Sequence, residues 1–85
     1  MAKALSIVSN MQANRETARQ VWGVEYATNI EPWKDQLREW AEAKQLPLMK
    51  ALLEMSQSAR DGGYPGAVIF LSAATLDLIA EGYDG

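Results

Sequence analysis

The sequence predicts an all-α fold, with four to five short helices in a small orthogonal or bundled arrangement around an apolar C-terminal helix. The longest apolar run, Ala67–Ala80, contains only three polar residues, Ser72, Thr75 and Asp77. Upstream apolar residues recur at helical spacing, and prolines and glycines separate these segments. A helix that is apolar on nearly all sides lies inside a bundle or between subunits. The other helices are therefore expected to surround it.

The first helical segment is predicted over residues 4–22. Its apolar positions are Ala4, Val8, Met11, Ala18 and Trp22. Arg15 interrupts this stripe, and Asn14 is typical of an N-cap because its amide oxygen can accept from a first-turn N–H. Two short helices are therefore an alternative to one. Gly23 predicts the end of the segment, and residues 24–29 are expected to form a connection.

The second helix is expected to begin at Pro32, because proline suits the first helical turn, with Asn29 or Glu31 as its cap. One apolar stripe follows at i, i+4, i+7 and i+8: Trp33, Leu37, Trp40 and Ala41. The charged residues between them are expected on the solvated faces: Lys34, Asp35, Arg38, Glu39 and Glu42.

Pro47 predicts a helix boundary, since helical geometry is disfavoured for the residue before a proline. The next stripe is Leu48, Ala51, Leu52, Met55 and Ala59, widened by Met49 and Leu53. Gly62 and Gly63 are expected to end this helix, and the short link before it favours an antiparallel or sharply angled hairpin. Residues 64–66 are expected to form a turn, and Gly82 to end the last helix.

Residues 67–71 leave one alternative open, because β-branched and aromatic residues also suit a buried strand. Such a strand would need a partner for its backbone groups, either residues 5–8 or the same segment of another subunit.

The chain has 85 residues and is expected to be one domain, 1–85, near the lower size limit for folding alone. No cysteine is available for a disulfide, so association into a homodimer is the simplest reinforcement. The absence of cysteine and of a recognisable signal peptide favours the cytoplasm. Asp77 and the short length of the apolar run argue against a membrane helix.

The net charge is −3, which makes nucleic-acid binding an unfavoured function. All basic residues lie at or before Arg60, whereas Asp61, Asp77, Glu81 and Asp84 follow it. This C-terminal acidity indicates either a polar rim around the apolar helix or an acidic docking surface.

The sequence contains no histidine and no cysteine, so the commonest general base, thiol nucleophile and zinc ligands are missing. We therefore predict no enzyme, no cofactor and no metal site. The glycine-rich stretch 62–66 lacks the residues of a P-loop and is interpreted as a plain turn. Asp77 is expected to be exposed to solvent, or else paired, because an isolated buried charge is costly.

The functional hypothesis is a small protein-interaction module, an accessory or inhibitory protein whose partner is a protein of unknown identity. The large aromatic rings are many for so small a core: Trp22, Trp33, Trp40, Tyr64 and Tyr83. A tryptophan core is the favoured interpretation, and the alternative is that some of these rings lie at an interface, where such rings are enriched. The candidate partner-binding residues are Trp33, Trp40, Tyr64, Asp77, Glu81 and Tyr83. The alternative is a small helical DNA-binding transcriptional regulator, using Arg15, Arg19, Lys50 and Arg60.

Overall fold

The computed structural model describes the backbone of residues 2–83 and the side chains of residues 9–83. It contains four α-helices, α1 (Ala2–Trp22), α2 (Tyr26–Lys44), α3 (Leu48–Asp61) and α4 (Ala67–Ala80), with a 3₁₀ turn over Gly23–Glu25. No strand occurs within residues 2–83. The all-α class is therefore confirmed, and the alternative of a strand over residues 67–71 is wrong.

Helix α4 lies at the centre of the fold, with the bounds that the apolar run predicts. It packs against α1, α2 and α3. Its buried residues are Leu71, Ser72, Ala73, Ala74, Thr75 and Leu78. Because three helices of the same chain cover it, α4 buries much of its apolar surface without a second subunit.

Helix α1 is continuous over 21 residues, so the alternative of two short helices is wrong. Asn14 lies in its interior, where its side-chain amide donates a hydrogen bond to Ser72 Oγ of α4 at 3.3 Å. Met11 and Ala18 are buried on either side of it along the same helix. Packing along α4 therefore holds the helix through the position where the sequence suggested a break.

Helix α2 begins at Tyr26, so the expected start at Pro32 is wrong, and the expected connection over residues 24–29 is shortened to residues 24–25 of the 3₁₀ turn. Pro32 lies inside the helix, and the N-cap is Glu25, which makes no side-chain capping bond. An interior proline costs about 3 kcal/mol, because it removes a backbone hydrogen bond and crowds the preceding turn. Burial of Ile30 and the hydrogen bond of Tyr26 to α4 offset this cost.

The other boundaries follow the predicted signals. Gln45, directly after α2, has the left-handed φ of 55°, and Pro47 precedes α3 as its N-cap. Helix α3 ends just before Gly62, and Gly82 (φ 94°) follows the end of α4. At Gly82 the positive φ gives a physical reason for glycine.

The helical stripes form the core, as their spacing predicts. The main cluster contains Ala18, Ile30, Leu37, Ala41, Leu48, Ala51, Ala73, Ala74 and Leu78. A smaller cluster contains Met11, Leu52 and Leu71. Lys34 contradicts the expected solvated face, because it is only 4% exposed. In the described part of the chain, no helix combines the length and apolar character needed to cross a membrane.

Candidate functional site

An aromatic cluster joins the first turn of α4 to α1 and α2. The ring of Phe70 stacks on Trp22, with centroids 4.2 Å apart and ring planes 23° apart, and lies 5.6 Å from Trp33. Trp22 also lies 6.1 Å from Tyr26. Contacts of this kind add to the free energy gained by burying the rings. The cluster fixes the wall of the neighbouring groove.

This groove, which we call the aromatic groove, lies where Trp33 of α2, the end of α3 and the start of α4 meet. It is lined by Trp33, Ala59, residues 63–67 and Phe70, and its volume is about 550 Å³. Tyr64 stands at its edge and is 72% exposed. A large exposed aromatic side chain beside an apolar concavity is typical of an interaction surface.

The loop that holds Tyr64 is fixed by backbone hydrogen bonds on both sides. The Tyr64 N–H donates to the Ala59 carbonyl at 2.8 Å, and the Tyr64 carbonyl accepts from the Ala67 N–H at 3.0 Å. Gly63 has a φ of 85°, which non-glycine residues rarely adopt. Tyr64 is therefore presented on an ordered turn, and the plain turn expected here forms one wall of the groove.

The lining of the aromatic groove is almost entirely apolar. Its lining consists of rings, a proline, alanines and glycines, and its one ionisable side chain is the phenol of Tyr64. General acid–base catalysis needs a positioned group that titrates near the working pH. Among the described residues, no group of three or more histidine, cysteine, aspartate or glutamate side chains could hold a metal ion.

The Asp77 side chain is mostly buried and is paired, so the favoured expectation of solvent exposure is wrong and the alternative of a paired carboxylate is the observed one. Its carboxylate accepts a hydrogen bond from the Tyr26 hydroxyl at 2.7 Å and lies 3.7 Å from the Arg15 guanidinium. Burial raises the pKa of Tyr26, and the hydrogen bond to Asp77 and the charge of that carboxylate raise it further. Asp77 thus holds α4 to α1 and α2.

Glu81 forms a second ionic contact between the end of α4 and α2. It accepts a hydrogen bond from the buried Lys34 ammonium, which also lies 3.1 Å from Glu31. The hydrogen bond to Glu81 raises the pKa of Lys34, although burial alone would lower it. A partner that recruited Asp77 and Glu81 would have to break these intramolecular pairs. Asp84, the third residue of the predicted acidic surface, lies outside the described residues.

Trp40 and Tyr83, the remaining candidates, are half-buried. The Trp40 indole N–H donates to Glu54 of α3 at 3.1 Å, and the Lys44 ammonium lies 4.0 Å from the Trp40 ring centroid. Tyr83 packs on the main core and lines a separate groove of about 390 Å³ with residues from the link between α2 and α3. Both rings therefore serve packing, and Trp33 and Tyr64 are the candidates that the structure brings together.

The four basic candidates for DNA binding lie on two helices. Arg15 pairs with Asp77, and Arg19 lies 3.7 Å from Glu16 and 5.4 Å from the centre of the Tyr26 ring. Lys50 and Arg60 lie on α3. Two of the four cations are thus already engaged with carboxylates.

Phe70 was not among the partner-binding residues predicted from the sequence, and the glycine-rich stretch was predicted to be a plain turn. The sequence offers one signal for this surface. Tyr64 lies in a glycine-rich stretch, and glycines have no side chains that could cover a neighbouring ring. Comparisons with protein-family models, curated proteins and solved structures gave no match to this chain.

Proposed function

We propose that this chain is a non-enzymatic protein-interaction module, an accessory or inhibitory protein that binds another protein through the aromatic groove. The observation that supports this most directly is the apolar concavity between Trp33 and Phe70, with Tyr64 exposed at its edge. The occupant is a segment of the partner that inserts a large apolar side chain between these rings.

The aromatic groove has the composition of an interface hot spot. Trp and Tyr are enriched among the residues that contribute most binding energy, and they act best in a well-packed pocket from which water is excluded. Tyr64 has few rotatable bonds and is held on an ordered turn, so its entropy loss on binding is small. The groove is thus organised before the partner arrives.

A protein segment suits this groove better than a small polar substrate. Sites for small molecules combine an apolar lining with several placed polar groups that orient the ligand. The side chains of this lining supply one hydroxyl, on Tyr64. Affinity must therefore come mainly from apolar burial, as it does for an inserted side chain of a partner.

The proposed partner is a different protein, encountered in the cytoplasm. The homodimer was predicted from the small size of a chain without disulfides and from the apolar run Ala67–Ala80. In the structure α1, α2 and α3 cover much of α4 within one chain. The dimer stays a prediction that light scattering coupled to size exclusion tests. A monomer at micromolar concentration would remove it without affecting the aromatic groove.

The test is a selection from a phage-displayed peptide library that covers the proteome of the source organism. Selected peptides are then titrated into the isotope-labelled full chain, and the shifted resonances are mapped. We expect saturable shifts at Trp33, Tyr64 and Phe70. Replacing Tyr64 by Ser should weaken binding by about 30-fold, which is the effect of losing a hot-spot side chain.

Val24→Ser is the matched control. Val24 is fully exposed on the 3₁₀ turn and does not line the aromatic groove, so this variant removes an equally accessible apolar side chain elsewhere. It should bind like the wild type. Peptides that bind equally well to the wild type and to Tyr64→Ser, or that shift resonances away from the groove, would contradict the proposal.

A further inference from the structure

A second groove separates α1 from α3. Both helices pack on α4, yet within residues 2–83 no Cα of α1 lies within 8 Å of a Cα of α3. The resulting channel, the α1–α3 groove, has a volume of about 230 Å³ and is floored by α4. Its apolar lining residues are Met11, Met49, Leu52, Leu53 and Val68.

Two apolar side chains on the α3 wall of the groove are unusually exposed to solvent. Leu53 is 63% exposed and Met49 is 37% exposed, although the sequence placed both at the edge of a core stripe. Along α3 the lining extends from Met49 to Arg60, about 16 Å at 1.5 Å per residue. This length matches about three turns of a helix lying in the groove.

The α3 wall carries two basic side chains, Lys50 and Arg60, that lie outside the ion pairs of residues 9–83. Among residues 9–83, five basic side chains lie in ion pairs: Arg15, Arg19, Lys34, Arg38 and Lys44. Within the same residues, Lys50 and Arg60 have no carboxylate within ion-pair distance. Arg60 lines the groove, and Lys50 lies one turn before Leu53 on the adjacent strip of α3.

No carboxylate from the facing wall offsets these charges. The sequence has no acidic residue before Glu16, and α3 has two, Glu54 and Asp61. Glu54 is engaged by Trp40 and Lys44 on the side of α3 that faces α2, and Asp61 accepts a hydrogen bond from Gln57 at 2.8 Å. The α1–α3 groove thus combines five apolar with five polar lining residues. The one charge in its lining is the cation of Arg60, and Lys50 adds a second cation beside it.

From this complementarity we propose that the α1–α3 groove binds an acidic amphipathic helix of a partner protein. Leucine-like side chains at i, i+3, i+4 and i+7 of that helix contact Leu53, Met49 and Val68. Its flanking carboxylates pair with Lys50 and Arg60. This surface differs from the aromatic groove in position and in chemistry, so the inference goes beyond the proposed function, and each can fail without the other.

The test compares two displayed libraries of 16-residue helices against the full chain. Both libraries vary large apolar residues at i, i+3, i+4 and i+7, and one has Glu and Asp at the flanking positions where the other has Lys and Arg. We expect enrichment from the acidic library alone. Selected helices should bind more weakly as salt is raised, because their rim contacts are screened.

Substitutions then identify the surface to which the selected helices bind. Leu53→Asp should weaken binding of a selected helix by about tenfold or more, and K50E together with R60E should have an effect of similar size. The charge-conserving pair K50R and R60K should retain affinity within about threefold. Tyr64→Ser, which alters the aromatic groove, should leave this affinity unchanged.

Several outcomes would overturn the inference. Equal enrichment of both libraries, or of neither, would remove the charge argument. Binding of a mixed-sequence DNA duplex that is lost with K50E and R60E would assign the cations to nucleic acid instead. Self-association of the chain that is abolished by Leu53→Asp in light scattering would assign the groove to a second copy.

Discussion

The two ends of α4 are attached to the rest of the molecule by different physical means. At the N-terminal end, Phe70 stacks on Trp22 and makes a tilted contact with Trp33, and an apolar groove remains open beside it. Toward the C-terminal end, Asp77 and Glu81 form ionic contacts with α1 and α2. Stacked rings can still expose an edge to a partner, whereas the charged groups of an ion pair are already occupied by each other. The aromatic end is therefore better suited to a partner.

Removing the ring at the aromatic end should give the largest effect on stability. Phe70→Ala deletes contacts with two tryptophans, and we expect the free energy of unfolding to fall by about 3 kcal/mol, at the low end for Phe→Ala because Phe70 is half-buried. Urea unfolding followed by tryptophan fluorescence and by circular dichroism measures this. Ile79→Ala, at a half-exposed position of the same helix, is the control and should change stability by less than about 1 kcal/mol. Equal losses in both variants would remove the special role of the aromatic end.

A double-mutant cycle tests the ionic end. Tyr26→Phe removes a hydrogen bond to the Asp77 carboxylate, whose side chain is only 17% exposed, and Asp77→Asn weakens the same bond by removing the charge. The coupling free energy should be about 1–2 kcal/mol, because bonds to charged groups are stronger than neutral ones. The exposed pair Arg19 and Glu16 serves as the comparison and should couple by no more than about 0.5 kcal/mol. Additive effects of Tyr26→Phe and Asp77→Asn would mean that the bond does not hold α4.

Part of the architecture around α4 could be predicted from the sequence. The apolar run Ala67–Ala80 has the same bounds as α4 because glycines lie close to both of its ends. The two polar residues on its buried side, Ser72 and Thr75, each make a hydrogen bond within the fold. The apolar stripes of α2 and α3 could also be predicted, since helical spacing decides which side chains share a face. Local pattern was sufficient wherever one helix face meets the core.

The rest depends on contacts between distant residues. Tyr26 and Asp77 are separated by 51 positions, and Lys34 and Glu81 by 47, so spacing gave no reason to place either acid inward. The helix start predicted at Pro32 was wrong for the same reason. Contacts of Tyr26 and Ile30 extend α2 toward its N-terminus, beyond the first turn that proline favours locally. The aromatic groove arises from three elements meeting, which no single stretch of sequence indicates.

High pH should loosen the ionic end selectively. The pKa of Tyr26 and the pKa of Lys34 are both raised above their ordinary values of 10.0 and 10.5. Above about pH 10 the unfolded chain therefore releases these protons before the folded chain does, and the free energy of unfolding falls as pH rises. These contributions are fully present below pH 10 and are lost as pH rises through the folded-state values.

Thermal melts between pH 8 and pH 11.5 measure this dependence. Tyr26→Phe and Lys34→Met each remove one of the two groups, so each variant should show a shallower loss of stability above pH 10 than the wild type. Phe70→Ala, which alters the aromatic end, should keep the wild-type slope. A wild-type stability that stays constant up to pH 11.5 would show that neither group titrates differently in the folded state.

The smallest effects are expected in the loop at the aromatic end, where two glycines of the same groove differ in backbone conformation. Gly63 has a φ of 85° and Gly66 a φ of −65°, and a Cβ added at either meets nothing within 4 Å. Gly63→Ala should destabilise the fold by about 1 kcal/mol, because an L-residue is strained at positive φ. Gly66→Ala should stabilise it by about 0.4–1 kcal/mol, because alanine fits this conformation and restricts the unfolded chain. Urea midpoints measure both, and since each variant adds the same methyl group to the groove, opposite signs can arise only from the backbone. Equal shifts would mean that the turn presenting Tyr64 is not fixed, and the preorganisation of the aromatic groove would then be lost.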